Sequence, residues 1–163
     1  MSDAKRTMPE LIVDPKTLTE ESGSPYPSPH DQLVVGRHRS RLSAALGLSA
    51  FGVNIVRIEP GAQSSARHWH SEQDEFVYIL EGEVTLITDE GETTLSPGMA
   101  AGFPAGNPNG HTLANRSDSD VLALEVGNRP RDEDVTYPDI DMANAVRDGK
   151  PNFLHKDGSS FDD

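Results

Sequence analysis

The sequence predicts one all-β domain, a sandwich or a barrel. From Leu33 onward, short apolar runs recur at a spacing of roughly 8 to 12 residues, and Gly, Pro, Asp and Asn separate them, which is typical of such folds. The length of 163 residues suits a single compact core with tails. The hydrophobic fraction of 34% permits one core together with some poorly ordered sequence.

Charge and composition exclude several classes of function. Fourteen Lys and Arg residues against 27 Asp and Glu residues give a net charge of −13. This charge would repel a phosphate backbone, so we expect no nucleic-acid partner. Because the chain has no cysteine, disulfides, thiolate metal sites and cysteine nucleophiles are excluded. No secretory leader and no run of about 18 apolar residues is visible, so we expect a cytoplasmic protein with no membrane partner.

Residues 1–30 are predicted to form an extended, partly disordered arm. They are rich in Ser, Pro, Thr and acidic residues and end in the proline-containing stretch 22–30. Repeated prolines disfavour a helix and cannot donate to a sheet ladder. We expect the arm to lie over the domain or to dock on a partner subunit.

Residues 31–129 are predicted to form the β-domain. We expect strands at residues 51–59, 67–71, 75–81, 83–89, 92–95, 100–103, 111–115 and 121–127. The turns Glu81-Gly82 and Asp89-Glu90-Gly91 are predicted to close hairpins, because glycine readily adopts positive φ. Residues 43–48 have some helical propensity but are too short for a helix by pattern.

Residues 130–163 are predicted to form a C-terminal extension that packs on the barrel. This part is acidic and irregular, and we expect a short helix from Tyr137 through Val146. His155 follows an aromatic and an aliphatic residue in an otherwise polar tail. It is either a surface histidine or a side chain folded back over the barrel mouth.

Three histidines and one glutamate form the candidate site. His68 and His70 are two residues apart in a predicted strand, so their side chains leave the same face. Glu75 opens the next apolar run, and His111 begins a later strand. Three imidazoles and one carboxylate suit one divalent transition metal ion such as Fe, Mn, Ni, Cu or Zn, with one or two positions left for substrate or water. The alternative is a set of surface histidines and a strand-edge carboxylate.

These residues resemble the two sequence motifs of the cupin superfamily. The first motif is similar to Gly61, His68-Trp69-His70, Glu75 and Gly82, and the second is similar to Gly98, Pro104, Gly106, His111 and Asn115. Six residues rather than five separate Gly61 from His68, and four rather than two separate Gly106 from His111. The passages 67–71, 111–117 and 155–158 look like a subgroup of small bacterial single-domain metal-binding cupins.

The resemblance implies a double-stranded β-helix, a jelly-roll-like barrel of two antiparallel sheets with a metal inside. It also implies that His68, His70, Glu75 and His111 hold the ion, and that the chain forms a homodimer. Four protein ligands on such an ion would leave room for a small-molecule substrate or ligand.

Strand parity predicts which other side chains line the pocket. If Glu75 points inward, Val77 and Ile79 share its face, whereas Phe76 and Tyr78 face the opposite side of the sheet or a dimer interface. By the same reasoning Asn115 shares the parity of His111. We therefore expect the Asn115 amide to orient a metal ligand through a hydrogen bond.

A basic run stands out in this acidic chain. Arg37, Arg39 and Arg41 alternate, so they lie on one face of a strand. They either recognise an anionic substrate or a partner's acidic tail, or form a solvated face. Arg57 lies in mid-strand and could bind a substrate carboxylate if it enters the barrel.

The candidate site predicts a metal-dependent enzyme acting on a small oxygenated metabolite, of the isomerase, lyase or dioxygenase type. The ion would act as a Lewis acid on two adjacent substrate oxygens, and Glu75 is the candidate acid or base. The alternative is a non-catalytic small-molecule binding or sensing protein whose metal anchors the ligand. A third possibility is a structural or storage barrel in which the ion is incidental.

Overall fold

The computed structural model describes residues 11–161. Thirteen strands occur in this part of the chain: β1 Glu21–Ser22, β2 Arg37–Arg41, β3 Phe51–Ile58, β4 Trp69–His70, β5 Glu75–Glu81, β6 Val84–Thr88, β7 Gly91–Leu95, β8 Ala100–Phe103, β9 Thr112–Ala114, β10 Val121–Asn128, β11 Glu133–Thr136, β12 Ala143–Val146 and β13 Phe153–Leu154. The helices are short: the 3-10 turns Pro15–Thr17 and His30–Val34, and one α-turn α1, Leu42–Ala45. None of these helices has the length and apolar content needed to cross a bilayer.

The strands form three antiparallel sheets. The largest has the order β1-β2-β3-β10-β5-β8, a second has the order β7-β6-β9, and the third has the order β13-β12-β11-β4. Buried side chains from the first two sheets and from the loop after β3 pack together as the main core: Val56, Ile58, Ala62, Val77, Ile79, Val84, Leu95, Leu113, Val121 and Ala123. The predicted all-β, jelly-roll-like architecture is confirmed.

Alternation along β5 shows how the sequence determines the two faces of the largest sheet. Val77 and Ile79 are buried in the core, whereas Phe76, Tyr78 and Leu80 are 42%, 37% and 38% exposed. The parity prediction for this strand is therefore confirmed. The homodimer that the cupin resemblance implies stays a prediction.

The two predicted turns have different outcomes. Asp89-Glu90-Gly91 closes the β6–β7 hairpin, with Thr88 paired to Gly91. The prediction of a hairpin at Glu81-Gly82 is wrong, because β5 pairs with β10 and β8, whereas β6 pairs with β7 and β9. The chain instead crosses there between sheets. Gly82 has a φ of +76°, and a Cβ at this position would lie 2.6 Å from the Asp120 carbonyl oxygen.

The C-terminal extension builds a second core on the side of the barrel. Ala66, Val135, Tyr137 and Met142 are buried there. The predicted helix from Tyr137 through Val146 is wrong, since β12 pairs with both β11 and β13. Sheet pairing overrides a weak local helix preference at this position.

The described part of the arm, residues 11–30, lies against the rest of the protein. β1 extends the largest sheet by pairing with β2, and the Tyr26 ring meets the rings of Tyr137 and Phe153 edge-on at 5.7 Å. Residues 1–10, which belong to the predicted disordered arm, lie outside the described residues. The division into an arm, a barrel and an extension at residues 30 and 129 stays a prediction.

Candidate metal centre

The four predicted site residues come from three places in the chain and meet at one end of the barrel. Glu75 is the first residue of β5, and His70 ends the short strand β4. His68 and His111 form an isolated β-bridge, in which each backbone N–H donates to the other residue's carbonyl at 3.1 and 2.9 Å. Backbone pairing thus fixes two of the imidazoles next to each other.

The side chains converge on one carboxylate oxygen. The Nε2 atoms of His68, His70 and His111 lie 3.5, 3.4 and 2.9 Å from Oε2 of Glu75. Ligand atoms of His68, His70 and Glu75 all lie within 4.8 Å of one another. His111 joins this group through its contact with Glu75. The structure therefore brings all four sequence-predicted site residues together.

Contacts behind the rings orient the imidazoles. The Nδ1 atom of His68 lies 2.9 Å from the Ala66 carbonyl oxygen. A carbonyl can only accept, so Nδ1 carries a proton and Nε2 is the ring nitrogen that faces Glu75. The Nδ1 atom of His70 lies 3.1 Å from a carboxylate oxygen of the buried Glu133, and the His111 ring stacks on Phe103 at 3.6 Å. All three Nε2 atoms are held toward a common centre.

At the centre of the cluster, one carboxylate oxygen has no hydrogen-bond donor in the described part of the chain. Oε2 of Glu75 is buried and accepts no hydrogen bond from residues 11–161, although three ring nitrogens surround it. A buried carboxylate oxygen without a donor costs free energy. A divalent cation among these atoms would satisfy the carboxylate and the three lone pairs together, and this donor set suits a first-row transition metal ion. The residues present therefore fit a metal ion.

The ionisation of Glu75 and His111 also matches metal ligation. Burial is the largest influence on Glu75 and opposes its charge, but contacts with His111 and His68 outweigh it and hold the pKa of the carboxyl well below its usual range. Burial lowers the pKa of the His111 imidazole. Metal ligands bind as carboxylate anions and neutral imidazoles. At neutral pH both groups are in the form that binds a cation.

Two cavities meet at this cluster, and His70, Glu75, His111, Gln73 and Phe103 line both. The first has a volume of about 350 Å³ and is otherwise lined largely by uncharged residues such as Trp69, Thr88, Thr93, Asn107 and Asn109. We call the second, of about 380 Å³, the arginine cavity, because Arg37, Arg39, Arg41 and Arg129 line it together with Glu125. Both volumes suit a small metabolite.

Two arginines of the basic run in β2 lie inside the barrel rather than on a solvated face. Arg37 is only 7% exposed and donates to the carbonyl oxygens of Ser64 and Gly23. The Arg39 side chain is 28% exposed, and Arg41 is more open and pairs with Glu21. The solvated-face alternative is therefore wrong for Arg37 and Arg39.

Two other candidates, Arg57 and His155, lie away from the cluster. Arg57 is on the outer face of the sheet, where it binds Glu20, Glu59 and Asp120. His155 pairs with Asp141 and stacks on Phe161, and it lines neither cavity.

The prediction that Asn115 orients a metal ligand is wrong. Its amide donates to the carbonyl oxygens of Ile58 and Ser119 and accepts from Ser117. β9 ends at Ala114, so strand parity no longer applies to Asn115.

Two functional residues escaped the sequence analysis. Glu133 of β11 contacts the His70 ring, although it lies 63 positions further along the chain. In the sequence, nothing distinguishes Glu133 from the other carboxylates of an acidic segment. Glu125 shares a face with the buried Val121 and Ala123 in β10. Parity applied to β10 would have placed it inside the barrel.

Comparison with known proteins supports this architecture. The cupin domain family model matches residues 54–127. A sugar phosphate isomerase of the cupin superfamily from Silicibacter pomeroyi superposes with a TM-score of 0.89 at 45% identity, over 93% of this chain and 96% of that protein. A protein from Acidithiobacillus ferrooxidans, provisionally described as a sugar phosphate isomerase, has a TM-score of 0.70 at 28% identity, over 78% and 81% of the two chains.

The polyketide cyclase RemF from Streptomyces resistomycificus shares the fold, with a TM-score of 0.60 at 21% identity, over 72% of this chain and 78% of that protein. Among curated proteins, none matches the sequence. The identity of 45% across nearly the whole of a solved cupin assigns the family, and the converging histidines and glutamate lie where the two sequence motifs predicted them. The chain belongs to the cupin superfamily.

Proposed function

We propose that this protein is a metal-dependent enzyme that isomerises a small phosphorylated sugar. One observation carries the proposal: three imidazole nitrogens converge on the orphaned Glu75 oxygen at the junction of two metabolite-sized cavities. The extensive likeness to a protein described as a sugar phosphate isomerase supports this reaction type over the lyase and dioxygenase alternatives.

His68, His70, Glu75 and His111 would hold the ion, whether Fe, Mn, Zn or Ni. When bound, the ion supplies a Lewis acid for the substrate oxygens. Ala66 and Glu133 keep the rings of His68 and His70 in position for this role. Because the chain positions these donors before substrate arrives, little reorganisation is needed during the reaction.

Isomerisation of a sugar moves a proton between adjacent carbons, and two carboxylates of this chain are candidates for holding it. Glu75 is ionised, which is the form that can accept a proton. Glu125 is half-buried in the wall of the arginine cavity, and desolvation raises the pKa of its carboxyl. Carboxylates with shifted pKa values beside a substrate cavity are typical of acid and base catalysis.

The cavity walls can bind and shield the substrate. Threonine and asparagine side chains of the first cavity present hydrogen-bonding groups of the kind that bind sugar hydroxyls. Phe103 covers one side of the cluster by stacking on His111. An apolar side chain at this position excludes water from the reacting atoms and strengthens nearby electrostatic interactions.

The proposal is tested by loading the chelator-treated chain with each candidate ion and following sugar phosphates by NMR in D₂O. We expect interconversion of an aldose phosphate and a ketose phosphate, with the ion bound in a one-to-one ratio. His111→Ala should lose stoichiometric metal binding and turnover, because one of four ligands is gone. The matched control His155→Ala, a histidine outside the cluster, should keep both.

Two outcomes would contradict the proposal. Oxygen consumption without isomerisation would indicate a dioxygenase. Stoichiometric metal with no conversion of any sugar phosphate would favour the binding or sensing alternative. Circular dichroism of His111→Ala separates loss of the ion from loss of the fold.

A further inference from the structure

The arginine cavity contains a cationic side chain that the fold does not use. Arg37 and Arg129 both donate hydrogen bonds within the protein, to the carbonyls of Ser64 and Gly23 and to Leu48 and Ser43 respectively. Arg39, in contrast, makes no side-chain hydrogen bond in the described residues, and its Nε atom is buried without a partner. A buried guanidinium donor without an acceptor is costly unless something else binds it.

Glu125 faces this guanidinium but does not bind it. The nearest atoms, Arg39 Nη2 and a Glu125 carboxylate oxygen, are 3.9 Å apart, which is beyond hydrogen-bond distance. The two charges therefore attract each other across a gap without satisfying each other's donors and acceptors. An oxyanion with several acceptor oxygens would fit the guanidinium better, since the planar fork of arginine binds such groups in pairs of hydrogen bonds.

The location of Arg39 links it to the metal centre. Its strand, β2, is separated from β5 by β3 and β10 in the sheet order. Three strand spacings amount to about 14 Å across the sheet, and the register places Arg39 level with Ile79, four residues along β5 from Glu75. His68, His70 and Glu75 line the same cavity as Arg39 and Arg41. A ligand held by Arg39 would therefore occupy the same cavity as these candidate metal ligands.

We infer that Arg39, assisted by the neighbouring Arg41, forms a subsite for the terminal oxyanion of the substrate. This inference rests on the proposed function, because it assigns the group that recognises the substrate's charged end. The shared chemistry is a tetrahedral or planar oxyanion, either a phosphate monoester or a carboxylate. The chain carries a net charge of −13, so anion binding requires such a local concentration of positive charge.

Calorimetric titration of the metal-free full chain with inorganic phosphate tests the subsite without relying on turnover. Wild type should bind phosphate, and Arg39→Gln should bind it at least about 10-fold more weakly, because charge-assisted hydrogen bonds are lost. The matched control is Arg57→Gln, since Arg57 lies on the outer face of the adjacent strand. This control should bind phosphate like wild type.

Glu125→Gln provides a second, opposite readout. Within residues 11–161, Glu125 is the one carboxylate within 4 Å of the Arg39 guanidinium, so phosphate should bind several-fold more tightly once this competing charge is removed. An ion pair with a purely structural role would show no such gain. This variant also keeps the inference falsifiable if Arg39→Gln fails to fold.

Acetate and malonate titrations distinguish the two sources of the oxyanion. If carboxylates rather than phosphate bind in an Arg39-dependent manner, the subsite stands and the phosphorylated substrate of the proposed function is replaced. If no oxyanion binds wild type, or if Arg39→Gln binds phosphate as wild type does, the inference is wrong. Isomerase activity with normal phosphate affinity in Arg39→Gln would overturn the subsite while leaving the proposed function intact.

Discussion

The two ends of the barrel interior differ in chemistry although the same three strands build both. At one end the inward side chains are apolar: Val56 and Ile58 of β3, Val121 and Ala123 of β10, and Ile79 of β5. Toward the other end the same strands present Asn54, Glu125 and Glu75. The antiparallel register of β3 and β10 places apolar residues opposite apolar residues and polar residues opposite polar residues, since Val56 pairs with Ala123 and Asn54 pairs with Glu125. One end stabilises the fold, and the other is free to hold charge.

The first prediction concerns a substitution at the apolar end alone. Ile79 is fully buried, and Ile79→Ala should lower the free energy of unfolding by about 3 kcal/mol, because it removes buried methylene groups and leaves a cavity. Chemical denaturation of the metal-free chain measures this. The matched control is Leu80→Ala, since the next residue of β5 points outward and is 38% exposed; its effect should be well below that of Ile79→Ala.

The metal affinity of the folded Ile79→Ala variant shows whether the apolar end of the barrel interior influences the polar end. We expect it to stay within about threefold of wild type, because distant sites without shared partners act additively. A parallel loss of stability and metal affinity would show that the apolar end also positions the ligands.

The second prediction concerns a substitution at the polar end alone. Glu133 holds Nδ1 of His70 from behind, so Glu133→Gln should weaken metal binding about 10-fold, as the negative charge that orients the ring and raises its basicity is lost. Competition with a chelator measures the affinity. Asp134→Asn serves as the control, because Asp134 is the next residue of the same strand and faces Arg147. Equal affinities in the two variants would remove Glu133 from the metal centre.

The apolar end could be predicted from the sequence, and the polar end only in part. Alternating apolar residues in β5 and β10 show which face is buried. The run Arg37–Arg41 has polar residues on both faces of β2, so alternation places the arginines on one side without indicating whether that side is inside. The contact between His70 and Glu133 depends on the pairing of β4 with β11, which no local pattern encodes. The convergence of His68, His70, Glu75 and His111 could be predicted, because their spacing resembles two known sequence motifs.

The rim of the polar end has its own ion pair, centred on Arg67. The Arg67 guanidinium donates to both carboxylate oxygens of Asp139 at 2.7 Å and also contacts Asp89. It thereby joins the residue before His68 to the β6–β7 turn and to the C-terminal extension. Hydrogen bonds from Arg67 lower the pKa of the Asp139 carboxyl from its usual value of 3.8.

The third and smallest prediction concerns this pair. Asp139 is more than half exposed, so solvent screens the interaction and Asp139→Asn should lower the free energy of unfolding by only about 0.5 kcal/mol at pH 7. Because the folded-state pKa is lowered, the carboxylate stabilises the fold fully above about pH 4, and this contribution disappears as the pH falls through the folded-state pKa. Wild type and variant should therefore converge in acid. Asp118→Asn, an exposed aspartate with no ion pair in the described residues, should match wild type throughout.

The same variant shows how far the polar end extends. Arg67 keeps its contact with Asp89 when Asp139 is changed, and the backbone bridge between His68 and His111 is untouched. Metal affinity should consequently change by less than about threefold, in contrast to Glu133→Gln. A tenfold loss in Asp139→Asn would mean that the extension holds His68 in place through Arg67. In that case the polar end depends on the second core as well as on the three strands that it shares with the apolar end.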